Sequence, residues 1–145
     1  MATTSVPYET TIEVRDTCLC LHTQRAARAL GRRFDAALKP VGLTNGQFSL
    51  LMSLNRPEAP PMAPVANLLG MDRTTLTAAL KPLERRGLLE IVPDKTDRRS
   101  RRLKLTEAGH ALLAEGIPIW TREHAALDAG LADPDGLRAA LKSLA

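Results

Sequence analysis

Apolar residues recur with helical spacing along most of the chain, and short stops rich in proline or glycine separate the periodic stretches. The first stretch predicts a long helix over about residues 14–38, which ends where Pro40 cannot continue it. The next helix starts at Thr44, which has the spacing of a capping box with Gln47. Residues 1–10 show no periodicity and are predicted to be an arm that is frayed or becomes ordered only on contact.

Two helices separated by a glycine turn are predicted next. The first covers about residues 65–69 and ends at Gly70, and Asp72 caps the second. Successive residues of a helix are about 100° apart around its axis. One side of the second helix is therefore apolar and contains Leu76, Ala79, Leu80 and Leu83. The opposite side is small, hydroxylic and basic and collects Thr74, Thr77, Ala78, Lys81 and Arg85. Pro82 is expected to bend this helix without ending it, and the pair predicts a helix-turn-helix.

A charged hairpin is predicted after the helix-turn-helix. Residues 88–92 and 103–105 are mostly apolar and are predicted to be its two strands. The ten residues between them are rich in arginine and are predicted to be its loop.

Two further helices complete the predicted order of elements. Thr106 caps the first, which is expected to kink at Gly116 and Pro118. Asp133, followed by proline, opens the last helix. The predicted fold class is therefore mainly α with a small β-hairpin wing, a winged helix-turn-helix with extra N- and C-terminal helices, in a single domain over residues 1–145.

Positive charge is concentrated in the helix-turn-helix and its hairpin. Residues 71–106 contain ten Lys and Arg against five Asp and Glu, whereas the whole chain carries only +4. Such a concentration is the electrostatic footprint of a surface that meets phosphates. Aromatic residues make up 3% of the chain, which argues against a base-stacking platform for single strands.

Several other classes of protein find no support in the sequence. No basic-then-apolar leader and no membrane-length apolar run appears, so a cytoplasmic protein without a membrane partner is expected. No glycine-rich phosphate loop, no Ser/His/Asp order of convincing spacing and no cluster of metal ligands appears either. We therefore expect neither enzymatic activity nor a cofactor or metal.

Cys18 and Cys20 lie in one predicted helix, where their side chains point about 200° apart. A disulfide between them would require that helix to break. Reduced thiols are therefore the default expectation.

The order of elements and three motifs resemble the multiple-antibiotic-resistance repressor (MarR) family of winged helix-turn-helix regulators. The motifs are Gly42-Leu43-Thr44, the LERRGL stretch at residues 83–88, and Asp97-Arg98-Arg99 followed by LKLTEAG at residues 103–109. The third is the most specific, since family members commonly show Asp-x-Arg in the wing, then a strand and LTxxG. The resemblance covers nearly the whole chain from Asp16 onward.

The resemblance implies an obligate homodimer that binds double-stranded DNA. The helices over residues 14–39 and 107–145 would interlock two subunits, and residues 44–106 would form the DNA-binding lobe. Two-fold symmetry then predicts a pseudo-palindromic operator with half-sites about 10 base pairs apart.

The same resemblance assigns tasks to the basic residues. The recognition helix would enter the major groove, and Arg99 would enter the minor groove with Asp97 orienting its guanidinium. Arg98, Arg101 and Arg102 would neutralise phosphates. The candidate DNA-binding residues are Arg73, Thr74, Thr77, Lys81, Arg85, Asp97, Arg98, Arg99 and Arg101.

Family members are released from DNA by a small aromatic or phenolic ligand or by cysteine oxidation. The candidate ligand contacts are His22, Phe34, Met52 and Trp120, each of which could instead belong to the core. Cys20 lies where the similar organic hydroperoxide resistance repressors carry a reactive cysteine, but Gln24 and Phe34 replace their activating tyrosines. A repressor relieved by a ligand is therefore the favoured hypothesis, a redox-sensing repressor using Cys20 is the alternative, and a dimeric protein-binding module without DNA affinity is the third.

Overall fold

The computed structural model describes residues 4–145, which form a mainly helical fold with one two-stranded sheet. The helices are α1 (Tyr8–Thr17), α2 (Leu19–Leu38), α3 (Asn45–Leu54), α4 (Met62–Leu69), α5 (Arg73–Arg85), α6 (Glu107–Ala129) and α7 (Pro134–Ser143), with a 3₁₀ turn at Lys39–Val41; the strands are β1 (Leu89–Pro93) and β2 (Arg101–Leu105). The chain divides into two compact units, one up to Arg33 and one from Phe34 onward.

In the first unit, the single long helix predicted from residue 14 is wrong. Cys18 has φ −70° and ψ 112°, an extended conformation that ends α1 before α2 begins. The Thr17 hydroxyl donates to the Glu13 carbonyl at 2.7 Å, and such local bonds compete with the helical ladder. Helix α1 already begins at Tyr8, so the predicted arm is wrong from that residue onward, and residues 1–3 lie outside the described ones.

In the second unit, helix α3 begins as predicted. The Thr44 hydroxyl accepts the Gln47 N–H at 3.1 Å, and the Gln47 side chain accepts the Thr44 N–H at 3.1 Å, which completes the capping box. Leu43 and Phe48 on either side of the cap are buried. The core behind them is built from fully buried aliphatic residues, namely Leu38, Leu50, Leu51, Val65, Leu76, Leu80, Leu83, Leu89 and Leu103.

Helices α4 and α5 are the predicted helix-turn-helix. Gly70 ends α4 with a left-handed φ of 65°, a conformation that favours glycine. Helix α4 starts earlier than predicted, because Pro64 is tolerated anywhere in the first turn, where its missing N–H has no partner to lose. Helix α5 continues through Pro82, as predicted. After it, Arg86 Nη1 donates to the Gly42 carbonyl at 2.9 Å and ties the end of α5 to the turn before α3.

The β-hairpin is longer, and its loop shorter, than predicted. Strands β1 and β2 pair antiparallel over five residues each, which leaves residues 94–100 as the loop. The strands pair beyond their apolar residues, because the hydrogen bonds between strands are made by main-chain groups. One more main-chain bond follows the last pair, from the Asp94 N–H to the Ser100 carbonyl at 3.1 Å. Arg101 and Arg102, predicted to lie in the loop, therefore belong to β2.

The two C-terminal helices have the predicted caps. The Thr106 hydroxyl accepts the Gly109 N–H at 3.0 Å and donates to the Gly87 carbonyl at 2.6 Å, and the Asp133 side chain caps α7. Helix α6 continues through Pro118, and the kink expected there stays a prediction. None of the helices in residues 4–145 is long and apolar enough to cross a membrane.

Candidate nucleic-acid interface and apolar groove

The outer face of α5 is accessible along its whole length. The residues predicted to line it are all exposed, namely Arg73, Thr74, Thr77, Ala78, Lys81 and Arg85. The Thr77 hydroxyl donates to the Arg73 carbonyl at 2.8 Å, which leaves its oxygen and methyl for a partner. Within the described residues, the charged groups of Lys81 and Arg85 have no ion-pair partner, so both cations are available to an anion.

Asp72 fixes the start of α5. Its Oδ1 accepts the Thr75 N–H at 2.7 Å, and this bond holds the pKa of the Asp72 carboxyl below its usual range. A carboxylate at a helix N-terminus is also favoured by the helix dipole. The first turn of α5, which carries the exposed Arg73, is therefore held in place at neutral pH.

In the wing, Asp97 shapes the backbone and does not hold the guanidinium of Arg99. Its Oδ1 accepts the backbone N–H of Arg99 at 2.9 Å, and its carbonyl accepts the Ser100 N–H at 3.0 Å. The prediction that Asp97 orients the Arg99 guanidinium is therefore wrong for this structure. Asp97 sets the turn, and the exposed Arg99 side chain extends from it without an ion-pair partner among the described residues.

Arg102 supports the wing from its base, and the prediction that it neutralises phosphates is wrong for this structure. Its Nε donates to Asp94 Oδ2 at 3.1 Å, and its Nη1 donates to the Ala59 carbonyl at 2.7 Å. The Thr96 N–H, and after it the Arg102 charge, hold the pKa of the Asp94 carboxyl below its usual range. Arg102 is partly buried and engaged, so it links the hairpin to the chain before α4.

Arg73 and Arg101 meet at one groove, here called the arginine groove. It has a volume of about 590 Å³ and lies between α4, the start of α5 and the start of β2. Its polar walls also include Asn67 and Ser100. Arg101 Nη1 donates to the Arg98 carbonyl at 3.1 Å, which couples this arginine to the loop. Of the predicted DNA-binding residues, the structure brings Arg73 and Arg101 together at this groove.

A second groove, here called the neutral groove, opens between α3, α4 and α6. Its volume is about 510 Å³, and it is lined by Phe48, Ser49, Met52, Ser53, Leu68, Leu69, Ile117, Trp120 and Thr121. Met52 and Trp120 were predicted as ligand contacts and lie here. Phe34 is buried and is not part of the lining. The other lining residues were not predicted, because only the packing of three helices distant in sequence brings them together.

A chain of ring contacts leads from the neutral groove along α6. The Phe48 and Trp120 rings stack with centroids 6.4 Å apart, Trp120 and His124 are 4.7 Å apart, and His124 and Phe34 are 5.4 Å apart. Two of the predicted ligand contacts, Phe34 and Trp120, are therefore joined through His124, which the sequence analysis did not single out. Of these four rings, the stacked pair Phe48 and Trp120 lines the neutral groove.

The first unit contains the remaining candidates. His22 and Arg25 line a shallow pocket of about 270 Å³ in α2, and His22 Nδ1 lies 2.7 Å from the Cys18 carbonyl. Cys18 is partly buried and Cys20 is exposed, and both are free thiols. Among residues 4–145, no group of three or more His, Cys, Asp or Glu side chains could hold a metal ion.

Comparisons with known proteins agree with this architecture. Residues 43–100 match the model of the MarR family. The crystal structure of the M. tuberculosis transcriptional regulator MosR in complex with DNA is 38% identical, with a TM-score of 0.81 over 88% of this chain and 92% of that one. The chain belongs to the MarR family. Its winged helix-turn-helix fold class, predicted from the sequence, is confirmed.

Two other members of the MarR family show the range of relatives. The transcriptional repressor MprA of Escherichia coli (strain K12) is 35% identical over 114 residues, 77% of this chain and 61% of that protein. This MarR-family chain therefore spans about three fifths of the length of that relative. A structure of the transcriptional repressor CouR bound to p-coumaroyl-CoA is 28% identical, with a TM-score of 0.79 over 90% of this chain and 94% of that one.

Proposed function

We propose that this chain is a transcriptional regulator that binds double-stranded DNA at specific sequences and acts as a repressor. The observation that carries the proposal is the common exposure of unpaired cations on α5 and on the wing of one helix-turn-helix lobe. Lys and Arg that neutralise phosphates supply much of the affinity for DNA. The similar MosR structure contains DNA, and MprA is a transcriptional repressor. A regulator works beside the chromosome, so we place it in the cytoplasm and assign it no enzymatic activity.

The exposed residues divide into two groups by their place in the fold. The outer face of α5 offers hydroxyl, methyl and basic groups of the kind that recognise base edges in the major groove. The wing offers Arg99 on a turn set by Asp97, which suits insertion into a narrow minor groove. Arg98 and Arg101 lie beside it and are assigned to phosphates. Arg102 is left out, because its hydrogen bonds are used within the protein.

We further propose a homodimer formed through the terminal helices, in which the lobe over residues 44–106 carries the DNA contacts. Helices α1 and α7 contain no buried residue. Leu137 and Leu141 on α7 are exposed at 45% and 44%, Leu144 directly after it at 64%, and Tyr8 on α1 at 69%. Uncovered apolar residues of this kind mark protein contact sites. A two-fold dimer places two wings and two recognition helices on a pseudo-palindrome.

A small aromatic ligand in the neutral groove is proposed to release the DNA. Helix α4 lies between the two grooves, because Leu68 and Leu69 line the neutral groove while Ala66, Asn67 and Gly70 line the arginine groove. A ligand that moves α4 would shift the start of α5, which follows Gly70 within three residues. The ligand lowers DNA affinity if it binds the state with shifted α5 more tightly than it binds the DNA-binding state. The size of the decrease is set by that difference in affinity. The similar repressor CouR binds p-coumaroyl-CoA, which supports the proposal of a small-molecule effector.

Selection of DNA from a random pool, followed by footprinting, tests the DNA-binding proposal. We expect a protected pseudo-palindrome with half-sites about 10 base pairs apart. A variant carrying Arg98→Ala and Arg99→Ala should lose the selected sequence. A matched variant with Arg122→Ala on the exposed part of α6 should keep it. Recovery of no sequence above the random pool would contradict the proposal.

Thiol oxidation is a second candidate signal, favoured by one observation. The helix break that a Cys18–Cys20 disulfide requires is present, since Cys18 stands in an extended conformation between α1 and α2. With an organic hydroperoxide, the two thiols would lose two electrons and two protons to form the disulfide, and the hydroperoxide would become an alcohol and water. Cys20 is exposed and open to such an oxidant.

Mass spectrometry and a DNA shift assay test the thiol proposal together. We expect a loss of two hydrogens after hydroperoxide treatment, a loss of DNA binding, and recovery of both with dithiothreitol. Cys20→Ser should keep its DNA binding under the same treatment. Equal loss of binding in the wild type and in Cys20→Ser would exclude this signal.

A further inference from the structure

Another groove, here called the wing pocket, lies between the hairpin and the chain before α4. Its volume is about 470 Å³, and it is lined by Glu58, Ala59, Val92, Pro93, Asp94, Lys95, Thr96, Arg102 and Lys104. None of these is a residue of the proposed DNA contacts. All of them belong to the lobe over residues 44–106, whereas the proposed dimer forms through the terminal helices. The proposed dimer therefore takes no wall of this pocket from the partner.

The wing pocket and the arginine groove lie on opposite faces of β2. Neighbouring residues of a strand point to opposite faces, and Arg101 lines the arginine groove while Arg102 and Lys104 line the wing pocket. Val92, which pairs with Arg102 across the hairpin, also lines the wing pocket. A duplex that contacts α5 and the arginine groove would meet one face of the hairpin. The wing pocket is on the other face and stays open to a solute.

Arg102 brings unused hydrogen-bond donors to the wing pocket. Its Nε and Nη1 donate to Asp94 and to the Ala59 carbonyl, whereas its Nη2 donates to no group within residues 4–145. Every buried side-chain nitrogen and oxygen in that range has a hydrogen-bond partner, so the unpaired Nη2 must be accessible. A guanidinium that two bonds hold in place presents its remaining N–H groups in a fixed direction. Such donors suit an anion that carries several oxygens.

Two further cations of the wing pocket are unpaired. Lys95 and Lys104 are exposed, and neither has an ion-pair partner among the described residues. The lining also contains two acids, but the Asp94 carboxylate already accepts hydrogen bonds from the hairpin loop and from Arg102. In the described chain, no cation neutralises the other acid, Glu58. Two free ammonium groups and part of a guanidinium therefore stand against one free carboxylate, which leaves an excess of positive charge.

The wing pocket also has an apolar part, formed by Ala59, Val92 and Pro93. A carbon skeleton attached to the anion would cover this surface, whereas an inorganic ion would not. A phosphate monoester has about two negative charges at neutral pH and several strong acceptor oxygens. It therefore matches one guanidinium and two ammonium groups better than a single carboxylate does. A volume of about 470 Å³ is within the range of small-molecule sites.

We propose that the wing pocket binds a small organic phosphate, whose phosphate group is held by Arg102 Nη2, Lys95 and Lys104. The apolar residues of the lining cover its carbon skeleton. Such a ligand joins the hairpin loop to β2, because Lys95 lies in the loop and the other two residues lie on the strand. It binds on the face of the hairpin opposite the arginine groove and leaves the proposed DNA contacts free. The site is additional to the proposed function and does not depend on it.

Ribose 5-phosphate and ribose separate the phosphate group from the carbon skeleton. In an NMR titration of the full chain at fixed ionic strength, ribose 5-phosphate should saturably shift the Arg102 Nε–H signal and the amides of Lys95 and Lys104. Ribose at the same concentrations should leave these signals in place. Shifts confined to Asn67 and Ser100 would place the phosphate in the arginine groove alone and overturn the proposal. Equal shifts from ribose would also overturn it.

Charge variants test the assignment of the phosphate to the wing pocket. Lys104→Met removes one ammonium group and should weaken the binding of ribose 5-phosphate by about tenfold. Lys39→Met removes the same charge from an exposed site on the 3₁₀ turn and should not. Glu58→Gln removes the opposing carboxylate and should strengthen binding by about threefold. Equal affinities of Lys104→Met and Lys39→Met would overturn the assignment, and so would weaker binding by Glu58→Gln.

DNA is the other source of phosphate, and the dependence of binding on salt separates the two sources. A variant with Lys95→Met and Lys104→Met should keep the wild-type salt dependence of operator binding, because neither lysine meets a DNA phosphate. A slope smaller by about one unit for each lysine would assign both to the duplex and overturn the separate site. If the chain binds no DNA at all, the proposed function fails, and the titration with ribose 5-phosphate still decides the wing pocket.

Discussion

The arginine groove and the neutral groove are of similar volume, about 590 and 510 Å³, and the same helix, α4, contributes to both. Their walls differ in charge and in the helices and strands that form them. The arginine groove presents long cationic side chains from α5 and β2 at an exposed surface. The neutral groove is lined by apolar and hydroxyl side chains of α3, α4 and α6, and one of them, Phe48, also belongs to the leucine-rich core.

This difference in charge would let one small lobe bind two chemically different partners, the proposed DNA and the proposed aromatic ligand. DNA is an anion, and we propose that it binds the cationic side, whereas the lining of the neutral groove contains no cation. The two partners would therefore contact different residues, and α4, which contributes to both grooves, is the element that we propose couples them.

The largest effect is expected at Gly109, where α6 approaches the start of β1. A Cβ at this position would overlap the Leu88 carbonyl oxygen, and backbone atoms cannot move aside as a side chain can. Gly109→Ala should therefore lower the free energy of unfolding by about 3 kcal/mol, at the upper end of overpacking costs. Urea denaturation followed by circular dichroism measures it. Because α6 also lines the neutral groove, ligand and DNA binding should fall together.

Gly46 is the matched control for that substitution. It lies in the first turn of α3, and a Cβ there would meet no atom within 4 Å. Gly46→Ala should leave the stability unchanged or raise it by about 0.5–1 kcal/mol, since alanine favours the helix. Equal losses from Gly46→Ala and Gly109→Ala would show that the close approach to Leu88 is unimportant.

Local signals along the chain were enough to predict most of the fold. The side-chain caps at Thr44, Asp72, Thr106 and Asp133 all form within a few residues of their partners. The break at Cys18 was missed, because the apolar spacing continues across it. Hairpin length was also misjudged, because main-chain pairing does not depend on the hydropathy of the side chains.

Of the candidate site, periodicity predicted the outer face of α5, because helix geometry alone decides which side faces the core. The role of Arg102 could not be predicted, since its partner Ala59 is 43 residues away in sequence. The neutral groove could not be predicted either. Phe48, Leu68 and Ile117 come from three helices, and only their packing brings them to one surface.

Arg99 tests the DNA-facing surface alone. Arg99→Ala should weaken operator binding by about 1–3 kcal/mol, the range for loss of one groove contact. The stability of the chain should not change, because the Arg99 side chain is exposed and the backbone bond to Asp97 remains possible. A shift assay at fixed salt, with thermal unfolding alongside it, measures both. Unchanged operator affinity would remove Arg99 from the interface.

Lys81 is expected to have a smaller effect and to show which kind of contact α5 makes. Lys81→Ala should reduce the dependence of binding on salt by about one unit of slope if the ammonium meets a phosphate. Affinity would then fall by a similar factor on operator and on unrelated DNA. Relaxed discrimination at one base pair would instead mark a base contact. No change in affinity, salt slope or specificity would place Lys81 outside the interface.

The smallest effect is expected at Asp94, which supports the wing and not the neutral groove. Its pKa lies below the usual value because the Thr96 N–H and Arg102 favour the carboxylate. The carboxylate therefore makes its full contribution to wing stability at any pH above the pKa of aspartate in the unfolded chain, about 3.9. The contribution is lost as the pH falls through the lower pKa of Asp94 in the folded chain. An NMR titration of the Thr96 amide should show a midpoint below that of a free aspartate. Asp94→Asn should abolish the titration, and a midpoint at or above the free value would contradict the role given to these partners.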